Sequence, residues 1–175
     1  MYEYFNIATG LSQAEYALFL NSYEFFALFT SPSKLSRKYN KALEKLLFFN
    51  NKQAFFIGDI EKSIEEYGAP RIVADGETLR IKTGSINDVQ NLFAFDSEAE
   101  DANLIGFILY FRPTLKKMIV LHIAVDENYT FDGKFSDETL TIQLINKVRE
   151  IALKIRGIEF LSIAYGRDFT IPIRE

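Results

Sequence analysis

A chain of 175 residues with 48% hydrophobic and 25% charged residues has room for one domain with a sizeable core. Its formal net charge of -4 argues against a general nucleic-acid binder, which carries a basic surplus. The absence of cysteine excludes a disulfide framework, a thiolate zinc site and a cysteine nucleophile. Met1 to Asn6 show neither the basic nor the apolar region of a secretory signal, and no apolar stretch is long enough to span a bilayer. The expectation is a cytoplasmic protein with no membrane association.

The first third reads as helical. From Leu11 to Phe29 apolar residues cover a wide arc, including Tyr16, Phe19, Tyr23, Phe25 and Phe26, and leave a polar stripe of Gln13, Glu15, Asn21 and Glu24. Such a helix needs cover over most of its circumference. The rest of the fold could supply it, or another helix or subunit, so residues 11–29 are the candidate surface for a protein partner or self-association. After Thr30-Ser31-Pro32-Ser33, a second helix is predicted over Lys34 to Asn50. Leu35, Tyr39, Ala42, Leu43, Leu46, Leu47 and Phe49 mark one face, with Lys38, Lys41, Glu44 and Lys45 opposite. Gln53 to Ile57 reads as an extended link. Asp59 then caps a small helix through Tyr67, with Gly68 as its stop.

From Arg71 the apolar period changes to two. Arg71 to Ala74 and Thr78 to Thr83 flank Asp75-Gly76-Glu77, a hairpin signal. A short strand is predicted over Asn91 to Phe95, and Asp96 to Asp101 is acidic and aperiodic, an exposed loop without the ligand spacing of a calcium site. Leu104 to Phe111 is a long strand. Arg112-Pro113-Thr114 turns it into an antiparallel neighbour, Lys117 to Asp126, which is apolar at both parities and therefore covered on both sides.

The best-capped helix follows, from Asp137 to Arg156, with Ser136 as N-cap and Gly157 as its end. It runs into a strand over Ile158 to Ala164, so strand, helix and strand form a crossover between parallel neighbours. Pro172 restricts the tail, Phe169 to Ile173, to a sheet edge. The expected class is α+β: a mixed, mainly antiparallel central sheet with one β-α-β crossover. A single domain over 1–175 is expected, with a helical part at 1–70 and a sheet part at 71–175.

This order resembles the GNAT acyltransferase fold. Asn103-Leu104-Ile105-Gly106-Phe107-Ile108-Leu109-Tyr110 is similar to the family's third strand, and Leu121-His122-Ile123-Ala124-Val125-Asp126-Glu127-Asn128-Tyr129 to its fourth; the likeness covers Arg71 to Ala164. The resemblance implies an acetyl-CoA site in the loop after the fourth strand, where backbone amides and a helix N-terminus hold a pyrophosphate. Here that stretch is Thr130-Phe131-Asp132-Gly133-Lys134-Phe135-Ser136-Asp137-Glu138. It has one glycine where the family has two small residues, two bulky phenylalanines, and three acids offset by Lys134 alone. Eleven residues after Ala164 leave no room for the family's fourth helix and catalytic tyrosine. The expectation is a non-catalytic GNAT-like protein with no cofactor, acting in protein interaction or small-ligand binding. The alternative is a divergent acyl-CoA-dependent N-acyltransferase.

His122, the single histidine, is the candidate general base in that alternative; otherwise it is a core or cleft histidine with bonded ring nitrogens. Gly133 and Lys134 are the candidate ligand-binding residues of the loop. Arg167, beyond the second parallel strand, could meet an anion or pair with Asp168 on the surface. No metal site is expected, because one histidine without spaced acidic partners does not make one.

Overall fold

A computed structural model describes residues 28–29, 34–97, 99–130, 132–135, 139–164 and 170–173. Strands are β1 (Leu28–Phe29), β2 (Leu35–Ser36), β3 (Pro70–Asp75), β4 (Thr78–Thr83), β5 (Gln90–Phe95), β6 (Leu104–Phe111), β7 (Lys117–Val125), β8 (Phe160–Ile163) and β9 (Thr170–Pro172). The α-helices are α1 (Asn40–Phe48), α2 (Ile57–Tyr67) and α3 (Leu140–Lys154). The class is α+β, with a six-stranded sheet in the order β1-β5-β6-β7-β8-β9 and a three-stranded sheet in the order β2-β4-β3. Among the described residues only β7 and β8 pair in parallel, joined by α3; the other large-sheet pairs are antiparallel. No helix among the described residues is long and apolar enough to cross a membrane.

β7 lies inside the large sheet and both its faces are covered. One face packs Met118, Val120 and Val125 with Leu140, Leu144, Ile145 and Val148 of α3. The other packs Ile119, Leu121 and Ala124 with Leu43, Leu46 and Leu47 of α1 and with Leu35, Leu79 and Ile81 of the small sheet. The face assignment departs from strict alternation. Leu109 is opposite His122 while Tyr110 is opposite Val120, so Leu121 is an inserted residue. This β-bulge turns Leu121 and His122 toward the same side. Parity alone places His122 with Val120, on the α3 side; the bulge places it on the α1 side.

The first third is less helical than its periodicity predicts. Leu28 and Phe29, expected at a helix end, pair instead with Phe95 and Ala94 of β5. The rest of the stretch expected as helix over Leu11 to Phe29 lies outside the described residues. The helix expected from Lys34 begins at Asn40, because Leu35 and Ser36 pair with Leu79 and Thr78 and a 3-10 turn, Arg37–Tyr39, intervenes. Phe49, assigned to its apolar face, is 71% exposed, since α1 has ended and its backbone has turned away. The link expected as extended from Gln53 is a 3-10 helix, Asn51–Phe56. α2 ends where Gly68 adopts φ 87 and its N–H donates to the Ile64 carbonyl, as its glycine stop predicts.

The β3–β4 hairpin forms at Asp-Gly with Gly76 at φ 58, in the left-handed region. It belongs to a second sheet, not to the one central sheet that the sequence suggests. The two sheets are joined through Asn91 on β5, which is fully buried. Its Oδ1 accepts from the Ile81 N–H at 2.5 Å, and its Nδ2 donates to the Ile81 carbonyl at 3.0 Å. Two residues along β4, Leu79 pairs with Leu35, so the Asn91 amide takes over the β4 edge where the short β2 stops.

α3 starts later than its capping residues predict. Thr139 stands at φ 50, a left-handed conformation uncommon for a β-branched residue, and helical geometry cannot propagate back through it. Ser136, the expected N-cap, lies outside the described residues. At the other end Ile155 is already extended, and Gly157, at φ 91, makes the turn toward β8. β9 pairs with β8 at the sheet edge, where Pro172 is tolerated.

Replacing Asn91 by Leu would strand the Ile81 N–H and carbonyl in the core. Each buried unsatisfied group costs about 1–3 kcal/mol, so Asn91→Leu, which strands two, should lower unfolding free energy by roughly 2–6 kcal/mol in urea titration. A loss within ~0.5 kcal/mol of zero would mean the amide does not join the sheets.

Candidate functional site

The site begins at the C-terminal end of β7, where the chain leaves the sheet. Asp126 caps the 3-10 turn Glu127–Tyr129: its Oδ1 accepts from the Asn128 N–H at 3.0 Å and from Asn128 Nδ2 at 2.9 Å. Beside it opens a cleft of about 980 Å³, bounded by α1, by the ends of β5 and β6, and by the loop after β7. Tyr39, Leu46, Leu104, Tyr129 and Phe135 supply its apolar lining. Four carboxylates line it (Asp96, Glu100, Asp101 and Asp126) against two lysines, Lys38 and Lys45.

Several of these groups are already engaged. Asp96 accepts from the Asn103 N–H at 2.8 Å and from its Nδ2 at 2.7 Å, closing the acidic loop onto β6. The Tyr39 hydroxyl donates to the Ala102 carbonyl at 2.8 Å, and its ring meets Phe95 edge-on at 5.2 Å. Lys38 donates to the Glu100 carbonyl. Lys45 stands 4.0 Å from Asp126 and is largely exposed, a pairing worth little in water. The acidic surplus favours a cationic over an anionic occupant. Among the described residues no group of three or more metal-ligating side chains comes together.

The loop that the GNAT resemblance assigns to pyrophosphate is folded on itself. The N–H groups of Tyr129, Thr130, Gly133 and Phe135 donate to the carbonyls of Asp126, Glu127, Thr130 and Asn128, at 2.8, 3.4, 2.9 and 2.7 Å. With the Asn128 N–H on Asp126, these amides are not aimed outward as an anion nest requires. Gly133 is small for an internal reason: a Cβ there would fall 2.4 Å from the carbonyl oxygens of both Glu127 and Asn128. Lys134 is exposed, with its ammonium 5.1 Å from the Phe135 ring centroid. The Phe135 ring in turn lies 5.0 Å from that of Tyr129. Phe131, Ser136, Asp137, Glu138 and Arg167 lie outside the described residues.

His122 does not line this cleft. It is buried on β7, 5.6 Å from the Phe107 ring, with Nε2 3.3 Å from Gln53 Nε2. Gln53 Nε2 also donates to the carbonyls of Leu47 (3.0 Å) and Leu46 (3.4 Å) at the end of α1. An amide nitrogen only donates, so His122 Nε2 accepts and the ring is neutral with its proton on Nδ1. Burial pushes its pKa down from 6.5 to about 4. Nearby, Asn50 Nδ2 donates to the Val125 carbonyl at 2.9 Å, so side-chain amides tie the end of α1 to β7. His122 thus belongs to the packing between α1 and the sheet. Of the candidate residues, Gly133 and Lys134 adjoin the cleft through Phe135, and His122 lies apart from them.

Sequence reading missed Gln53 and Tyr39 as well as the cleft itself. A glutamine in a linker carries no pattern, and the cleft is assembled from three separated segments. Compared with known proteins, the chain matches no family model, no curated protein and no solved structure.

Because the folded-state pKa lies below the unfolded one, the unfolded chain takes up a proton first as pH falls. The stability associated with neutral His122 is therefore complete above pH 6.5 and lost progressively down to about pH 4. A shift of this size corresponds to roughly 3 kcal/mol. His122→Gln should flatten the stability profile between those limits relative to the parent. As the single histidine, His122 can also be followed by NMR, where a titration midpoint near 6.5 would contradict its burial.

Proposed function

We propose that the chain is a cytoplasmic, non-catalytic binding protein on a GNAT-like scaffold, acting through protein interaction or capture of a small ligand, without acetyl-CoA. The antiparallel β6–β7 pair, followed by the parallel β7–α3–β8 crossover, supports the scaffold. Gly106 does as well, since a Cβ there would press on the Ala124 carbonyl at 3.0 Å and on Leu140 of α3 at 3.3 Å. The observation that carries the functional reading is the loop after β7, where the N–H groups of Asn128, Tyr129, Thr130, Gly133 and Phe135 bond within the loop and the carbonyls of Glu127 and Asn128 close over Gly133.

The position of His122 supports the same reading. A general base has to reach its substrate's proton. His122 is buried, its Nε2 faces Gln53, and its low pKa leaves it a weak base. The cleft beside Asp126 remains as a binding surface, and its sign disfavours the phosphates of coenzyme A. The proposed protein-contact segment is residues 11–29, apolar for most of their length, of which Leu28 and Phe29 pair with β5.

Isothermal titration calorimetry with acetyl-CoA tests the proposal. The expected result is no saturable heat up to ~1 mM ligand, which bounds affinity at about -4 kcal/mol or weaker. Micromolar binding that is lost in Lys134→Ala would overturn it and restore the acyltransferase reading.

A further inference from the structure

Among the described residues the small sheet ends on an edge to which no further strand pairs. Among the described residues β3 pairs only with β4, over six residues without a register shift. The direction of each backbone group on β3 follows from Asn91. Its amide engages both the N–H and the carbonyl of Ile81, so these two groups point away from β3. Ile72 and Ile81 are therefore a non-hydrogen-bonded pair. By alternation Arg71, Val73 and Asp75 bond to β4, as the two-residue turn between Asp75 and Thr78 also requires. The N–H and carbonyl groups of Ile72 and Ala74 then project from the free edge, and neither residue has a partner on that side among the described residues.

Edges of this kind are usually blunted by a bulge, an inward charge or a proline within the strand. Here proline occupies only the first position, and the centre is Ile72-Val73-Ala74. Arg71 and Asp75 flank that centre, both exposed, and neither has an ion pair among the described residues.

We propose that β3 is a self-pairing edge: two copies of the chain join antiparallel through β3 about a two-fold axis at Val73, giving one continuous six-stranded sheet. This goes beyond the binding reading above and uses neither the cleft nor residues 11–29. The sequence is self-complementary in this register. Ile72 stands opposite Ala74 of the second copy, and the reverse, so the outward N–H and carbonyl groups all find partners. Arg71 stands opposite Asp75 of the second copy, twice, in the closely spaced non-hydrogen-bonded positions where cross-strand charges interact most strongly. Neighbouring registers are poorer. An axis at Ile72 sets Ala74 against Pro70, which has no N–H, and an axis at Ala74 sets Ile72 against Gly76, already in the turn at φ 58. The pairing is isologous and closed, as two-fold dimers are.

Cysteine cross-linking and sedimentation velocity test it. The chain has no cysteine, so Val73→Cys places a single thiol on the axis. There the two Cα atoms would be about 4.5 Å apart, within disulfide reach. Under mild oxidation Val73→Cys should form a covalent dimer, whereas Lys82→Cys, one strand inward, should remain uncross-linked. In sedimentation Ala74→Pro, which removes an outward N–H and spares the bonds to β4, should dissociate the dimer. Arg71→Glu and Asp75→Arg should each weaken it roughly tenfold, and mixing the two variants should restore it. A parent chain monomeric up to ~1 mM overturns the proposal. So does a dimer indifferent to all three substitutions, or cross-linking of Lys82→Cys in place of Val73→Cys.

Discussion

The structure depends on covering β7 from both sides. A strand whose side chains are apolar at nearly every position cannot face water on either surface, so one layer must close over each. α3 closes one face through a continuous stripe from Leu140 to Ala152. On the other, α1 and the small sheet share the surface, contributing Leu43, Leu46 and Leu47 on one part and Leu35, Leu79 and Ile81 on another. The difference has consequences. A helix fed directly by the chain on both sides of a crossover needs few further ties, whereas a composite layer has to be held in register by specific bonds.

Those bonds are side-chain amides. Asn91 continues the pairing of β4 where β2 runs out, Asn50 takes the Val125 carbonyl, and Gln53 spans the last carbonyls of α1 and the His122 ring. An amide suits these places because it presents a donor and an acceptor, as a peptide group does, without placing a charge in the core. His122 belongs with them. The Leu121 bulge swings it onto the composite side, where a neutral ring can accept from Gln53. What a general base needs is the opposite: access, and a partner that favours its charged form.

Legibility in the sequence followed the range of the forces involved. β6, β7, the hairpin and the parallel crossover could be read because each is set by a local period or turn, such as Asp75-Gly76 or the apolar run through Met118 and Val120. The second sheet could not be read in this way. Nothing local tells Leu35 to leave a helical pattern and pair with Leu79, since the partner lies 44 residues away and the gain comes from burying both. Parity puts His122 on the wrong face for a similar reason: one inserted residue reverses parity, and an insertion is visible only against the partner strand. Asn91 left a trace, a polar residue inside an apolar strand, but its partner left none.

In the loop after β7 the residues present bond to one another. Close approach of backbone to phosphate is one use of glycine. In this chain the approach is made by the carbonyls of Glu127 and Asn128, which carry the partial charge opposite to that of an anion's usual donors. To admit a pyrophosphate the loop would have to break the bonds from Gly133 and Phe135 and withdraw two carbonyls, with Asp126 still beside it. Each disrupted hydrogen bond costs about 1 kcal/mol net, and each unmoved oxygen adds repulsion. The bonds from Tyr129, Thr130, Gly133 and Phe135 thus hold this loop closed on itself where β7 leaves the sheet.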